Sequence, residues 1–287
     1  MSDSDVTLYP VLFVGAGPGD PELITVRGMR ALEAADLVIY AGSLVPEAVL
    51  QWVREGARVE DSAALTLEEQ VAHMVAGHRA GQRVVRLHTG DPALFGATAE
   101  QWRGLEDAGV PYEVVPGVSS LFAAAAALPA ELTMPGVSQS VIVCRAAGRT
   151  PVPDGQDIAS YAAHRATMAI FLSAGLGAQV AADLGAHYPA DTPAAIVQRA
   201  SWPEQRIVRC TVSSLASALA EEGIDRTAMI LVGPALAGAG EQRSLLYDPT
   251  FSHGYREATS AVATDPSTTT PRKTTGEPEP TTAAKES

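Results

Sequence analysis

Short apolar runs alternate along this chain with segments whose apolar positions return every three or four residues. Residues 11–15 (Val-Leu-Phe-Val-Gly) read as a strand. The stretch 21–34 has helical spacing, with Leu23, Val26, Met29 and Leu32 apolar. A second strand is predicted at 37–40, and helices at 46–54 and 67–80. Residues 84–88 form the next strand, which runs into Thr89-Gly90-Asp91-Pro92. A helix over 95–108 and a strand over 112–115 follow, closed by Pro116-Gly117. This βα alternation predicts an α/β fold with a mostly parallel sheet and helices on both faces.

The rhythm changes after Gly117. An alanine-rich helix is predicted at 119–128 and a strand at 141–144, followed by a Gly- and Pro-rich loop at 148–156. Strands are predicted at 168–172, 194–198, 207–211 and 229–232, and helices at 178–186 and 213–221. The strands at 194–198 and 207–211 adjoin across 199–205 with no helix between them, so this second sheet is mixed, with an antiparallel part. The expected organisation is two α/β domains, 9–117 and 118–247, hinged near 116–119 with a ligand cleft between them. Residues 1–8 are expected to be disordered, and 248–287 largely so. From 258 onward the chain is mostly Thr, Pro, Ala, Glu and Lys, too poor in large apolar groups to offset chain entropy.

The most telling segment is Val14-Gly15-Ala16-Gly17-Pro18-Gly19-Asp20-Pro21-Glu22. It has the look of a nucleotide-binding glycine loop, but the third glycine of a dinucleotide fingerprint is replaced by Asp20. Asp20 suits the N-cap of the following helix and Pro21 its first turn. Asp20 and Glu22 would then already occupy the helix end that a pyrophosphate needs. Two readings remain at this point: a tight strand-to-helix turn without a ligand, or a turn beside a ligand that is not a phosphate.

Composition narrows the classes. The 287 residues carry a formal charge of −13, and 46% of them are hydrophobic. An acidic chain of this kind argues against nucleic-acid binding, which needs a basic face. No run is long and apolar enough to predict a membrane span. The acidic N-terminus lacks the basic start of a signal peptide. The two cysteines, Cys144 and Cys210, read as small buried hydrophobes in a reducing compartment, which points to the cytoplasm. Arg79, Arg83, Arg86 and His88 read as ordinary solvated strand and helix ends. The six histidines are scattered, and His73 and His78 are wrongly spaced for a shared metal face, so no metal site is expected.

Four segments converge on a family. They are Gly15-Ala16-Gly17-Pro18-Gly19-Asp20-Pro21, Thr89-Gly90-Asp91-Pro92-Ala93-Leu94-Phe95-Gly96, Val115-Pro116-Gly117-Val118-Ser119-Ser120 and Ile230-Leu231-Val232-Gly233. In this order and spacing, over residues 8–247, the chain resembles the tetrapyrrole methyltransferases. Tyr40-Ala41-Gly42-Ser43-Leu44-Val45, Leu87-His88-Thr89-Gly90-Asp91-Pro92, the run Glu131 to Ser140, and Arg145-Ala146-Ala147-Gly148-Arg149-Thr150-Pro151 resemble the corrin-pathway branch of that family. Family members acting on uroporphyrinogen usually carry Gly-Gly-Asp-Pro where this chain has Thr89-Gly90-Asp91-Pro92.

The resemblance implies a two-domain tetrapyrrole methylase fold and S-adenosylmethionine as methyl donor. The implied acceptor is a tetrapyrrole, carbon 11 of precorrin-4 with or without cobalt, and the implied assembly is a homodimer. It also implies cofactor contacts at Pro18, Thr89, Gly90, Asp91, Leu94, Ser119, Ser120, Ser173 and Ala200. Asp91 either caps the turn before Pro92 or meets the cofactor, and it is the one candidate for a catalytic role. Ser119 and Ser120 either cap the next helix or contact the ligand. A sulfonium cofactor carries no phosphate, which suits the carboxylate-bearing loop. The transfer needs in-line placement more than a nucleophilic side chain. A substrate rich in carboxylates needs local cations, and Arg145 and Arg149 are the candidates, because a guanidinium grips a carboxylate bidentately. The rival readings are a methyltransferase of the same fold acting on another substrate, an NAD-dependent oxidoreductase, and a non-catalytic scaffold.

Overall fold

The computed structural model of the chain describes residues 7–238 and 244–259. The chain divides into two compact units, Met1–Gln242 and Arg243–Ser287. The first unit holds two five-stranded sheets.

The first sheet is built from β1 (Val11–Gly15), β2 (Leu37–Tyr40), β3 (Arg58–Asp61), β4 (Val84–His88) and β5 (Tyr112–Val115). Its order is β3-β2-β4-β1-β5, and every pairing is parallel. The helices α1 (Val26–Ala34), α2 (Leu67–Arg79) and α3 (Thr98–Asp107) make the crossovers. Side chains alternate across a strand. Val14, Val38, Val85 and Leu87 therefore pack on one face with Leu32 of α1. Phe13, Leu37, Ile39 and Val84 pack on the other with Met74 of α2 and Leu105 of α3. Burial on both faces explains why these strands read as continuous apolar runs.

The second sheet follows α4 (Ser120–Ala127) and comprises β6 (Val141–Arg145), β7 (Thr167–Phe171), β8 (Pro193–Gln198), β9 (Arg206–Thr211) and β10 (Ala228–Val232). Its order is β6-β7-β10-β8-β9. Only β6 and β7 run parallel; β7–β10, β10–β8 and β8–β9 are antiparallel, the last as the helix-free step across 199–205 predicts. The helices α5 (Ile158–Ala162), α6 (Gly177–Gly185) and α7 (Leu215–Glu221) cover one face. Leu121, Ala124 and Leu128 from the α4 region cover the other, packed with Ala169, Val197 and Leu231.

Several elements depart from the sequence reading. The stretch 21–34 is not one helix. Asp20 caps only a three-residue 3-10 turn, Pro21–Leu23, through a bond from Glu22 N to Oδ1 of 2.9 Å. The α-helix starts afresh at Val26, where Thr25 Oγ1 accepts from Gly28 N at 3.1 Å. Two cap-competent residues in succession, Asp20 and Thr25, divided what periodicity alone joins. The stretch 46–54 contains a 3-10 helix, Glu47–Trp52, in place of an α-helix. Strand β3 reads Arg-Val-Glu-Asp and lies at the sheet edge, so it lacks an apolar signature. The helix expected from 95 starts at Thr98, because Phe95 and Ala97 hold left-handed φ angles of 53° and 48°. Helix α5, capped by Asp157, was missed because it is only five residues long.

In the second unit, Leu245–Tyr247 forms a 3-10 turn. The Arg256 guanidinium donates to the carbonyls of Leu246 (2.9 Å) and Asp248 (2.6 Å). Of the segments expected to be disordered, residues 1–6 and 260–287 lie outside the described residues.

Because Thr25, not Asp20, starts the α-helix, Thr25→Ala should cost about 1 kcal/mol of stability in urea unfolding. Asp20→Ala should cost clearly less. Equal losses would contradict the division of this segment.

Candidate functional site

The carboxyl ends of β4, β1 and β5 meet in backbone contact. A Cβ placed on Gly15 would lie 2.5 Å from Gly117 Cα and 2.6 Å from Gly90 O, and one on Gly117 would lie 2.1 Å from Gly90 O. No side chain fits at either position. Gly17 and Gly90 form an antiparallel bridge, with Gly90 N donating to Gly17 O at 2.8 Å and Gly17 N to Gly90 O at 3.3 Å. Both hold positive φ angles, 80° and 61°, which glycine adopts without penalty. From this point the connection after β1 leads to β2 on one side and that after β4 leads to β5 on the other. This is the switch point of a parallel α/β sheet, where such folds bind ligands.

Asp91 pins the junction. Its Oδ1 accepts from Ala93 N at 2.8 Å and its Oδ2 from Gly117 N at 2.9 Å. One carboxylate thus shapes its own loop and ties it to the loop after β5. Ser119 caps α4, its Oγ accepting from Leu121 N at 3.3 Å. Ser119 and Ser120 lie against Gly90, since a Cβ there would stand 3.8 Å from Ser119 Cα and Ser120 N. Thr89 and Leu94 are exposed beside them, whereas Pro18 is buried.

The loop after β1 is not a phosphate cradle. The amides of Ala16, Gly17, Asp20, Glu22 and Leu23 donate to His88 O, Gly90 O, Ser201 Oγ, Asp20 Oδ1 and Asp20 O. A cradle needs such N–H groups free and aimed at the ligand. Asp20 and Glu22 sit at a 3-10 turn and not at the α-helix end expected from the sequence, and what these five amides meet is protein acceptors.

The second sheet contributes at the same end. Asp20 N donates to Ser201 Oγ at 3.0 Å, and Trp202 Nε1 to Pro18 O at 2.9 Å. Ala200, buried, is therefore brought next to the first loop. Phe95 and Phe171 touch, ring centroids 5.1 Å apart. Ser173 is fully buried, donating to Phe171 O at 2.6 Å and accepting from Ala146 N at 2.8 Å. Arg145 spends its guanidinium on the carbonyls of Ala146, Thr150 and Pro151, so it shapes the 146–151 loop. Arg149, on that loop, is exposed.

The solvated reading of the basic stretch holds for Arg79 and Arg83 and fails for Arg86 and His88, which are 4% and 6% exposed. Arg86 donates to Gln101 Oε1 (3.0 Å), Gln70 Oε1 (3.0 Å) and Ile39 O (3.2 Å), fastening α2 and α3 to β4. Burial lowers its pKa to about 10, so it stays charged at neutral pH. Burial and the neighbouring Arg86 cation push His88 down to about 3. His88 stacks on Phe13, and neither His88 Nε2 nor Trp102 Nε1 has a protein partner. Two polar residues two apart in an otherwise apolar strand were the overlooked signal. For Trp202 the signal was a tryptophan in a polar turn.

Among the described residues, no group of His, Cys, Asp and Glu is placed to hold a metal, and no helix is long and apolar enough to cross a membrane. A groove of about 420 Å³ along α4 and β6, lined by Leu121, Phe122, Leu132 and Val143, is apolar and ill suited to a charged cofactor.

Fold and site together define an α/β protein whose parallel sheet ends in a switch point walled by glycine backbone. The chain belongs to the tetrapyrrole (corrin/porphyrin) methylases, whose family model matches residues 10–216. It is 47% identical over 246 residues to a precorrin-4 C(11)-methyltransferase of Pseudomonas aeruginosa, covering 86% of this chain and 98% of that one. The crystal structure of cobalt precorrin-4 methyltransferase, CbiF, superposes with a TM-score of 0.77 at 48% identity, over 79% of this chain and 95% of that one. A uroporphyrin-III C-methyltransferase of Thermus thermophilus, solved with S-adenosylhomocysteine, gives 0.67 at 31% identity, over 79% and 93%. The chain is accordingly a methyltransferase with the two-sheet fold of that family.

Two outcomes test this geometry. Asp91→Ala strands two backbone amides and should cost about 2–3 kcal/mol in urea unfolding. His88 has a folded pKa below its unfolded value of 6.5, so the unfolded chain binds the proton first as pH falls. Its contribution is complete above pH 6.5 and is lost between 6.5 and about 3. The slope is up to about 1.4 kcal/mol per pH unit. His88→Leu should remove that slope from unfolding free energies measured between pH 6.5 and 5.

Proposed function

We propose that this protein transfers a methyl group from S-adenosylmethionine to carbon 11 of precorrin-4, with or without cobalt, in cobalamin biosynthesis. The observation that carries the proposal is the Gly15–Gly90–Gly117 junction at the switch point, closed to phosphate because its amides are used internally. The similarity to enzymes named for that reaction supports the substrate.

The residues fit the cofactor. A glycine-walled crevice accepts a flat nucleoside, and no amide cradle or basic cluster asks for phosphate. Pro18, Thr89, Gly90, Asp91, Leu94, Ser119, Ser120, Ser173 and Ala200 are the proposed contacts. Asp91, both oxygens engaged by backbone amides, serves as the pin that positions Gly117 and Ala93. When bound, the cofactor supplies an electrophilic methyl group on a cationic sulfur. The chain's task is to hold acceptor and donor in line and to exclude water. Phe95 (45% exposed) and Leu172 (70%) present apolar surface from left-handed backbone, φ 53° and 54°. Strained bulky residues held toward solvent mark a surface kept for a ligand. A flat macrocycle with an acidic rim meets it, with Arg149 for a carboxylate. The 116–119 segment acts as the hinge between two domains. Homodimeric assembly, and a cytoplasmic location in keeping with two free thiols, complete the proposal.

Calorimetry should show S-adenosylhomocysteine binding and no heat with NAD. Precorrin-4 incubated with methyl-labelled cofactor should gain one methyl group by mass spectrometry, placed at carbon 11 by NMR. Binding of NAD in place of S-adenosylhomocysteine would reverse the assignment. Arg149→Ala should raise the KM for the tetrapyrrole several-fold while cofactor affinity stays within twofold; an unchanged KM removes Arg149 from the substrate site.

A further inference from the structure

We propose that the β8–β9 hairpin is a latch across the two sheets, and that Trp202 is a positioning residue that presets the cofactor crevice. The inference rests on the cofactor reading above for what the crevice holds. Two hydrogen bonds join residues 181 and 184 positions apart: Asp20 N to Ser201 Oγ, 3.0 Å, and Trp202 Nε1 to Pro18 O, 2.9 Å. The indole also packs directly against the glycine between them. A Cβ on Gly19 would stand 2.0 Å from Trp202 Cδ1 and 2.2 Å from its Nε1. Gly19 thus serves as the seat for a side chain from the other sheet.

The hairpin is braced for this task. Arg199 and Ser201 both hold left-handed φ angles, 48° and 70°, which non-glycine residues adopt only when their surroundings enforce it. The enforcement is visible. Arg199 N donates to Thr227 O (2.8 Å), Ser201 N to Gln205 Oε1 (2.8 Å) and Trp202 N to Arg199 O (2.9 Å). The Arg199 guanidinium stands 5.7 Å from the indole centroid. Ala200, buried between the two strained residues, is a proposed cofactor contact, and Pro18, whose carbonyl takes the indole proton, is another. One side chain therefore ties together two walls of the same crevice that come from different sheets. From within the first sheet's own layer, Trp52 Nε1 donates to Pro21 O at 3.1 Å, so the loop is gripped at both ends, and the Ser201 and Trp202 bonds cross to the second sheet.

With the latch in place the loop enters binding already ordered. Without it, the ligand must order Pro18 and Gly19 itself and binds more weakly. Trp202→Phe keeps an aromatic plate and deletes the donor; Ser201→Ala deletes the acceptor for Asp20. Both should weaken S-adenosylhomocysteine by about tenfold in calorimetry, the size of one lost hydrogen bond in a preorganised site. The KM for S-adenosylmethionine should rise by a similar factor, while kcat at saturation changes less than twofold. In the ligand-free protein, hydrogen exchange at the Asp20 amide should quicken in both variants. Affinity within twofold of the parent in Ser201→Ala, or unchanged Asp20 exchange, overturns the latch, and Ser201→Ala alone decides if Trp202→Phe fails to fold. Failure of the parent chain to bind S-adenosylhomocysteine would instead sink the cofactor reading, and amide exchange would still judge the latch.

Discussion

The site depends on how closely three backbones approach. Adjacent strands of a sheet lie about 4.8 Å apart, and the loops leaving them usually need room for side chains. Here the loops after β4, β1 and β5 stay in contact beyond the last ladder bond, because Gly15, Gly90 and Gly117 face one another without a Cβ. Gly17 and Gly90 extend the pairing by one bridge, and Asp91 closes the third side by accepting the Gly117 amide. The connections diverge from a shared, rigid floor. The amides of Ala16, Gly17, Gly90 and Gly117 on that floor are already spent on protein acceptors.

Charge is distributed to match. The chain as a whole is acidic, yet its most buried cation, Arg86, sits inside the first sheet's helix layer and is satisfied by two glutamine oxygens and a carbonyl. A buried guanidinium held by neutral acceptors stiffens the packing of α2 and α3 on β4, and its field helps keep His88 neutral. These groups support the strand that leads into Thr89, Gly90 and Asp91. On the 146–151 loop, Arg145 is occupied in shaping the loop, whereas Arg149 is exposed.

Strain concentrates where the two sheets meet. Phe95, Leu172, Arg199 and Ser201 all adopt left-handed backbone, and all lie on loops at this end of the sheets. Such conformations persist only where surrounding contacts over-determine them. The Phe95–Phe171 ring contact and the Trp202–Pro18 bond are such contacts, and they make the loops of one sheet part of the support for the other.

Local pattern was enough for the alternation of strands and helices, the parallel first sheet, the mixed second sheet and the family. Each rests on periodicity or on short motifs whose physics is local. It was not enough for the break at Thr25, because two cap residues compete within one periodic stretch, nor for β3, whose edge position leaves it no apolar signature. For Gly90, Asp91 and Ser119 the chain alone showed only separate turns and caps, and a ligand contact was what the family resemblance implied. That Asp91 reaches Gly117, that Arg86 and His88 are buried, and that Trp202 rests on Gly19 were decided only in three dimensions. The reason is physical: these contacts join residues 15 to 184 positions apart, and no local propensity encodes which carbonyl, amide or glycine will lie opposite once both sheets have formed.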